Sequence, residues 1–375
     1  MIYFDNASST KPDKEALDIF YENSIEKFFN PNSIFIAGVR NFNDIRRFKD
    51  KILKDFKLDS SYEVIFNSGA TESNNLMILG YARKNKNRGN RIITTKVEHD
   101  SVLFVFKQLE KEGFDVVYLD INQNGEVDLD QFNNVINDKT ILVSIMGVNN
   151  EVGFALNIDE ISKIVRKFPK CVLHSDCAQT LGKYPFNYSS CDAFTISAHK
   201  IYGIKGIGAL IKRKKINLEP IFYGGGQENG LRSGTQDFPA IASFSYSINK
   251  VFADFNKNYK HAEQLKNHLI DGLSKNEEVI LHLYEKSTPY VLNFSLKTKK
   301  ASVVVEALSN LNIFVSSVSA CNSKKEEPSH VLLALNKSLK EAHNSIRLSF
   351  SKDNTIEECD LFLVEFNRII ERIRG

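Results

Sequence analysis

Apolar positions along the chain change period in a repeating way. Ile45, Phe48, Ile52 and Phe56 fall three or four residues apart, the spacing of one helix face. Glu63-Val64-Ile65-Phe66 then reads as a short strand. The same alternation continues through apolar runs at Arg91 to Thr95, Asp115 to Leu119, Ile141 to Ile145, Val172 to His174 and Ala193 to Ile196, with helical stretches between most of them. Continuous apolar runs of this kind predict strands buried on both faces, and their alternation with helices from about 15 to 210 predicts an α/β domain around a mainly parallel sheet. Pro239 to about Ser274 reads as one extended helix leading away from that sheet. Strands near Tyr290 to Leu296 and Ser345 to Ser349, with helices near Ala301 to Asn310 and Ile356 to Ile373, predict a smaller α+β domain.

Length agrees with two units, since 375 residues exceed what one hydrophobic core usually serves. The expected division is 15–255 for the large domain and 1–14 with 256–375 for the small one. Hydrophobic residues at 42% and charged residues at 25% exclude a disordered or fibrous chain. The formal charge of +3 is spread along the sequence. Its densest basic run, Lys212 to Lys215, reads as a solvated strand end rather than a nucleic-acid patch, so no direct nucleic-acid partner is expected. Met1 leads into Ile2-Tyr3-Phe4-Asp5 without a basic or apolar leader, and no apolar stretch reaches the ~20 residues of a membrane helix. A cytoplasmic protein is the expectation. Five irregularly spaced cysteines without a Cys-x-x-Cys pair suit neither a disulfide framework nor a metal site, and Cys171 in its apolar run reads as packed and inert.

Four segments carry candidate chemistry. Ser68-Gly69-Ala70-Thr71-Glu72 follows a strand, and the free N–H groups opening the next helix, with the Thr71 hydroxyl, can cradle a phosphate or simply form a cap. His174-Ser175-Asp176-Cys177-Ala178-Gln179 ends a buried strand; its carboxylate either caps a helix or pairs with a cation such as a protonated pyridine nitrogen, with Gln179 within reach of the same ring. Ser197-Ala198-His199-Lys200 lies between an apolar strand and a glycine-rich stretch, a setting in which a desolvated amine can form a Schiff base. The glycines fit neither the dinucleotide nor the phosphate-loop pattern. Cys321, where an apolar segment gives way to Lys324-Lys325-Glu326-Glu327-Pro328, is either an incidental surface thiol or an exposed one whose nearby lysines favour the thiolate.

Together with Phe4-Asp5-Asn6-Ala7, Val97-Glu98-His99, Asn149-Asn150-Glu151-Val152-Gly153, Gly224-Gly225-Gly226-Gln227-Glu228, Leu231-Arg232-Ser233-Gly234-Thr235 and Pro328-Ser329-His330-Val331-Leu332, these segments resemble the cysteine desulfurases of the NifS/IscS type. The resemblance spans nearly the whole chain in family order. It implies the class V aminotransferase fold, a pyridoxal-phosphate-dependent fold type I with a seven-stranded-type sheet, and a homodimer that makes L-alanine from L-cysteine. By resemblance Lys200 binds pyridoxal 5′-phosphate as the internal aldimine, Asp176 faces the pyridine nitrogen, Gln179 the phenolic oxygen, and His99 stacks on the ring. Ala70, Thr71, Ser197 and His199 hold the phosphate, with Thr235 arriving from the neighbouring subunit. Asn150 lies beside cofactor and substrate, Arg347 clamps the substrate carboxylate, and Cys321 receives the sulfur as a persulfide for an iron-sulfur scaffold or a tRNA- or cofactor-thiolation enzyme. No metal is implied. Val318 stands where the family usually has Gly, Ile204 where Pro is common, and the longer tail of IscS-type members is lacking after the last helix. A selenocysteine lyase, an aminotransferase, and a non-catalytic binding partner are the competing readings.

Overall fold

The computed structural model describes residues 1–317 and 327–373. Its strands are β1 (Ile2–Tyr3), β2 (Tyr62–Asn67), β3 (Arg91–Thr95), β4 (Asp115–Leu119), β5 (Thr140–Ser144), β6 (Val172–Asp176), β7 (Ala193–Ser197), β8 (Gly208–Arg213), β9 (Val279–His282), β10 (Val291–Leu296), β11 (Ile313–Phe314), β12 (Ser316–Ser317) and β13 (Ser345–Ser349). The α-helices are α1 (Lys14–Glu26), α2 (Ile36–Asp55), α3 (Ala70–Lys84), α4 (Asp100–Lys111), α5 (Leu129–Val135), α6 (Ile158–Val165), α7 (Phe238–Ala253), α8 (Phe255–Leu273), α9 (Ala301–Asn310), α10 (His330–Ala334), α11 (Leu339–His343) and α12 (Ile356–Arg372).

The large sheet has the order β2-β8-β7-β6-β5-β3-β4. Only β8 runs against the others, antiparallel to both β2 and β7. One face carries a core that includes Ile52, Val64, Phe194, Ile211, Phe244 and Ile248; the opposite face packs Leu76, Met77, Ile78, Phe106 and Leu109 of α3 and α4 against Ile92, Leu142 and Leu210. Coverage of both faces is why these strands are apolar throughout rather than alternating.

The second sheet is β12-β13-β10-β9, antiparallel throughout, with β1 paired in parallel to β11 nearby. Its own core joins Ile2 and Phe4 to Leu265, Leu269, Phe294, Val304, Ile346, Phe362 and Phe366. The chain thus begins in the smaller core and returns to it from α8 onward. Val331, Leu332, Leu335 and Ala342, although late in sequence, pack on the larger core.

Two readings are corrected. The predicted long helix is two, α7 and α8, broken at Asp254 (φ −95°, ψ 6°). The break follows from packing: α7 buries Phe244, Ile248 and Val251 in the large core, whereas α8 turns Leu265, Leu269 and Leu273 into the small one. The basic run is solvated only after its first member, for Lys212, near the end of β8, is 2% exposed. Cross-strand register sets it opposite Glu63, with which it forms an ion pair, and Nζ also donates to the Ile216 carbonyl (2.9 Å).

Candidate active site

The parallel strands deliver their carboxyl ends to one edge of the sheet, the usual location for chemistry in open α/β folds. The turn after β2 supplies Ser68 to Thr71, β3 leads to His99, β5 to Asn150, β6 ends in Asp176, and β7 in Ser197 and the turn that carries His199 and Lys200. These residues line a cavity of about 680 Å³, closed from the smaller core's side by Arg347 and His330 and by the N-terminal Ala7-Ser8-Ser9.

At the first turn Gly69 has φ +150°, in the range that favours glycine. A Cβ on Gly208, its neighbour on β8, would lie 2.6 Å from Gly69 Cα and 2.7 Å from the Ile196 carbonyl oxygen, so both glycines are needed for the backbones to meet. The N–H groups of Ala70 and Thr71 open α3 and have no intrahelical partner. Ser197 Oγ beside them is buried without a hydrogen-bond partner among the described residues. His199 is held neutral: burial, then Lys200, Lys183 and Lys205, push its pKa down to about 4.

Asp176 is buried, accepting from Asn74 Nδ2 (2.7 Å) and from the Ala178 backbone N–H (2.9 Å). Lys200 Nζ donates to the carbonyls of Ala7 (2.6 Å) and Ser8 (2.8 Å). Gln179 Nε2 donates to the same Ala7 carbonyl at 2.7 Å. His99 caps α4, its Nδ1 accepting from the Ser101 N–H at 3.1 Å. Arg347, nearly buried on β13, donates through Nη1 to the Asn150 carbonyl (2.9 Å) and through Nη2 to Asp5 Oδ1 (2.7 Å) and Ser8 Oγ (2.8 Å). Its Nε is buried without a partner among the described residues.

The comparisons with known proteins now bear on this geometry. Residues 2–362 match the aminotransferase class-V family. The chain is 36% identical over its whole length to cysteine desulfurase IscS 1 of Archaeoglobus fulgidus, of which 98% is covered, and 39% identical over 96% of its length to cysteine desulfurase IscS of Rickettsia prowazekii, of which 88% is covered. A solved NifS-like protein superimposes with a TM-score of 0.93 at 34% identity, covering 99% of this chain and all of that one. The chain belongs to the aminotransferase class-V family as a cysteine desulfurase.

The lining of the desulfurase fits its family's cofactor, pyridoxal 5′-phosphate. An open helix N-terminus, an orphaned serine hydroxyl and glycines that admit close approach suit a phosphate. A buried carboxylate suits a protonated ring nitrogen, and an amine suits an aldehyde. Of the residues singled out in the sequence, Ala70, Thr71, His99, Asn150, Asp176, Gln179, Ser197, His199, Lys200 and Arg347 all line the cavity. Thr235 does not; it sits in a separate pocket with Asn67, Gly206, Glu228 and Arg232. Cys321 and Val318 lie outside the described residues.

Sequence reasoning assigned no role to Asp5, Ser8, Glu151 or His330 of the desulfurase. His330 Nε2 donates to the Glu98 carbonyl (3.0 Å), and its Nδ1 lies 3.9 Å from Glu151 Oε1. Burial raises the pKa of Glu151, against the pull of His330, the Ser329 hydroxyl and Arg347. The available signal was their presence in the very segments that carry the family resemblance.

Proposed function

We propose that the desulfurase holds L-cysteine and pyridoxal 5′-phosphate together in this cavity and passes the substrate's sulfur to Cys321 as a persulfide. One juxtaposition carries the reading: the Lys200 amine, the buried Asp176 carboxylate and the open N-terminus of α3 face the same space. Ala70, Thr71, Ser197 and His199 hold the phosphate, Asp176 the ring nitrogen, Gln179 the phenolic oxygen and His99 the ring face. Bound there, the cofactor draws electrons from the substrate's α-carbon and so loosens its carbon–sulfur bond. Arg347, whose planar fork suits a carboxylate, orients the substrate together with Asn150. Lys200 Nζ takes the α-proton and holds it. The Cys321 thiolate forms an S–S bond with the substrate sulfur as the Cβ–S bond breaks and its electron pair stays on the carbon. That fragment takes up protons, among them the one held by Lys200, and leaves as alanine. Cys321 falls in sequence between β12, where Ser316 pairs with Arg347, and His330 on the cavity wall, which supports its assignment to this site.

Residues 15–255 form the cofactor domain and 1–14 with 256–375 the smaller one. Two such chains work as a dimer, and a sulfur-acceptor protein of iron-sulfur or thiolation chemistry takes the sulfur onward. The buried free thiols of Cys171, Cys177, Cys191 and Cys359 suit the reducing cytoplasm. Incubation with L-cysteine and a reductant should yield alanine and sulfide in equal amounts. Borohydride reduction of the holoenzyme should label the Lys200 peptide. Cys321→Ala should keep the cofactor's visible spectrum and lose sulfide release; an active Cys321→Ala enzyme, or a label elsewhere, overturns these assignments.

A further inference from the structure

Behind Gln179 the cavity wall contains a lysine for which the reaction has no use. Lys183 lies one turn further along the chain and is 5% exposed. Among the described residues it forms no ion pair; its Nζ donates instead to Gln179 Oε1 at 2.7 Å. The other end of that amide, Nε2, donates to the Ala7 carbonyl at 2.7 Å, and Lys200 Nζ donates to the same oxygen at 2.6 Å. Ala7, Gln179 and Lys200 all line the cavity.

These contacts leave no freedom of assignment. A carbonyl oxygen can only accept, so the nitrogen end of the Gln179 amide must face Ala7. Oε1 then faces Lys183, which donates whether or not its amine carries a proton. Burial, with Lys200 and Arg347 adding to it, holds that amine well below the usual lysine range. Lys183 Nζ reaches the oxygen end of the amide directly, at 2.7 Å.

We infer that Lys183 is a positioning residue: its amine anchors Oε1 of Gln179 from behind, so that the amide presents its Nε2–H, and never its oxygen, to the phenolic oxygen of the bound cofactor. The inference rests on the role given to Gln179 above. When cofactor engages Lys200, the amine leaves the Ala7 carbonyl, and the amide is then held at both ends, Nε2 by that carbonyl and Oε1 by Lys183, so that losing Lys183 frees the oxygen end. Donation to the phenolic oxygen stabilises the more negative of the cofactor's two protonation states. The visible band of the holoenzyme therefore titrates at a lower pH than it would with the amide reversed or absent.

The test is a spectrophotometric pH titration of that band in wild type, Lys183→Met, Gln179→Leu and the double variant. Lys183→Met is expected to raise the midpoint by about one unit, the scale of one hydrogen bond to a charged group. Gln179→Leu should raise it at least as far, and the double variant no further. A wild-type midpoint in Lys183→Met overturns the inference, as does a double variant whose shift is the sum of the two. If Gln179→Leu alone leaves the band unmoved, it is the reading of Gln179 that fails, and this inference with it. Should Lys183→Met not fold, Lys183→Arg decides: a retained donor keeps the wild-type midpoint, and a midpoint raised as far as in Gln179→Leu overturns the assignment.

Discussion

Glu98, adjacent to His99, keeps its carboxyl wholly buried. Oε1 accepts from Thr95 Oγ1 (2.8 Å) and from the Met146 N–H (2.9 Å), while Oε2 has no partner among the described residues. Burial pushes its pKa up to about 8 despite those two bonds, and Asp176 adds to the rise. In the unfolded chain the same group titrates near 4.3. The folded state therefore keeps a proton that the unfolded state has lost, and stability falls as pH rises through the folded value. The buried histidines do not mask this above about pH 6.5, because His174, His199 and His282 are already neutral in the fold, pushed down to about 3, 4 and 4 by burial. Between pH 6.5 and 8 wild type should lose up to about 2 kcal/mol more than Glu98→Gln, read as a steeper fall in melting temperature; Lys183, whose pKa burial pushes down, acts with the opposite sign in both proteins. Equal losses in both proteins would place the proton elsewhere. At Arg347, replacement by Lys keeps the charge but loses the fork, so KM for L-cysteine should rise about 10- to 100-fold with the cofactor spectrum unchanged; a changed spectrum with unchanged KM would remove Arg347 from substrate binding. Much of this site was legible because several of its residues end or closely follow a buried strand, as Asp176 ends β6 and Lys200 follows β7. Asp5, Glu151 and His330 were not, since what brings them in is packing between segments hundreds of residues apart, such as His330 on the Glu98 carbonyl.

The cradle at the head of α3 belongs to three elements at once. β8 enters the sheet between β2 and β7 at Gly208, which pairs with Asn67 on one side and Ser197 on the other. A methyl group at Gly208 would press on backbone atoms of Gly69 and Ile196, neither of which can rotate away as a side chain would. Gly208→Ala should cost about 1–3 kcal/mol of stability by overpacking and displace the Gly69 turn, weakening uptake of pyridoxal 5′-phosphate by the apoprotein. Thermal melts and cofactor titration measure the two effects. Unchanged affinity would mean that the turn tolerates the shift. Six of the seven strands of this sheet could be read from sequence since burial on both faces writes most of their positions as apolar; β8 was read only at its end, at Lys212. Strand direction left no such mark, and the reversal of β8 rests on its partners. The break at Asp254 was equally hidden: no Pro or Gly interrupts the apolar spacing, and only the change from one core to the other shows that two helices are needed. Lys212 looked solvated because its partner, Glu63, lies on a strand almost 150 residues earlier.

Over the molecule as a whole, the first 42 residues pose a question that a single chain does not answer. α1 and α2 pack on α7 with their inner faces, yet Tyr21, Ile25, Phe28, Ile34, Phe35, Ile36 and Phe42 are exposed, Ile34 at 98%. Phe28 stacks on Phe29, and Phe29 meets Phe35 edge-on, so part of this surface is one aromatic cluster. Isolated exposed apolar residues are ordinary, whereas a cluster of large ones marks an interface. A second observation fits the proposed dimer. α2 is tied through the Lys49–Glu228 ion pair (2.6 Å) to the segment that carries Thr235, and on that segment Phe222 and Tyr223 are exposed as well. A second copy seated here would cover the apolar surface and bring Thr235, which lies outside its own chain's cavity, toward the neighbour's phosphate site. The native mass should therefore be twice the 42.6 kDa of the chain. Ile34→Asp combined with Phe35→Asp should yield monomers with cofactor affinity reduced about tenfold, the scale of one hydrogen bond to an anion. Thr235→Ala should weaken affinity to a similar degree while the mass stays dimeric, separating the loss of one hydroxyl from the loss of the partner. Sedimentation and cofactor titration together decide it, and a wild-type monomer with full affinity would show that each site is complete within one chain.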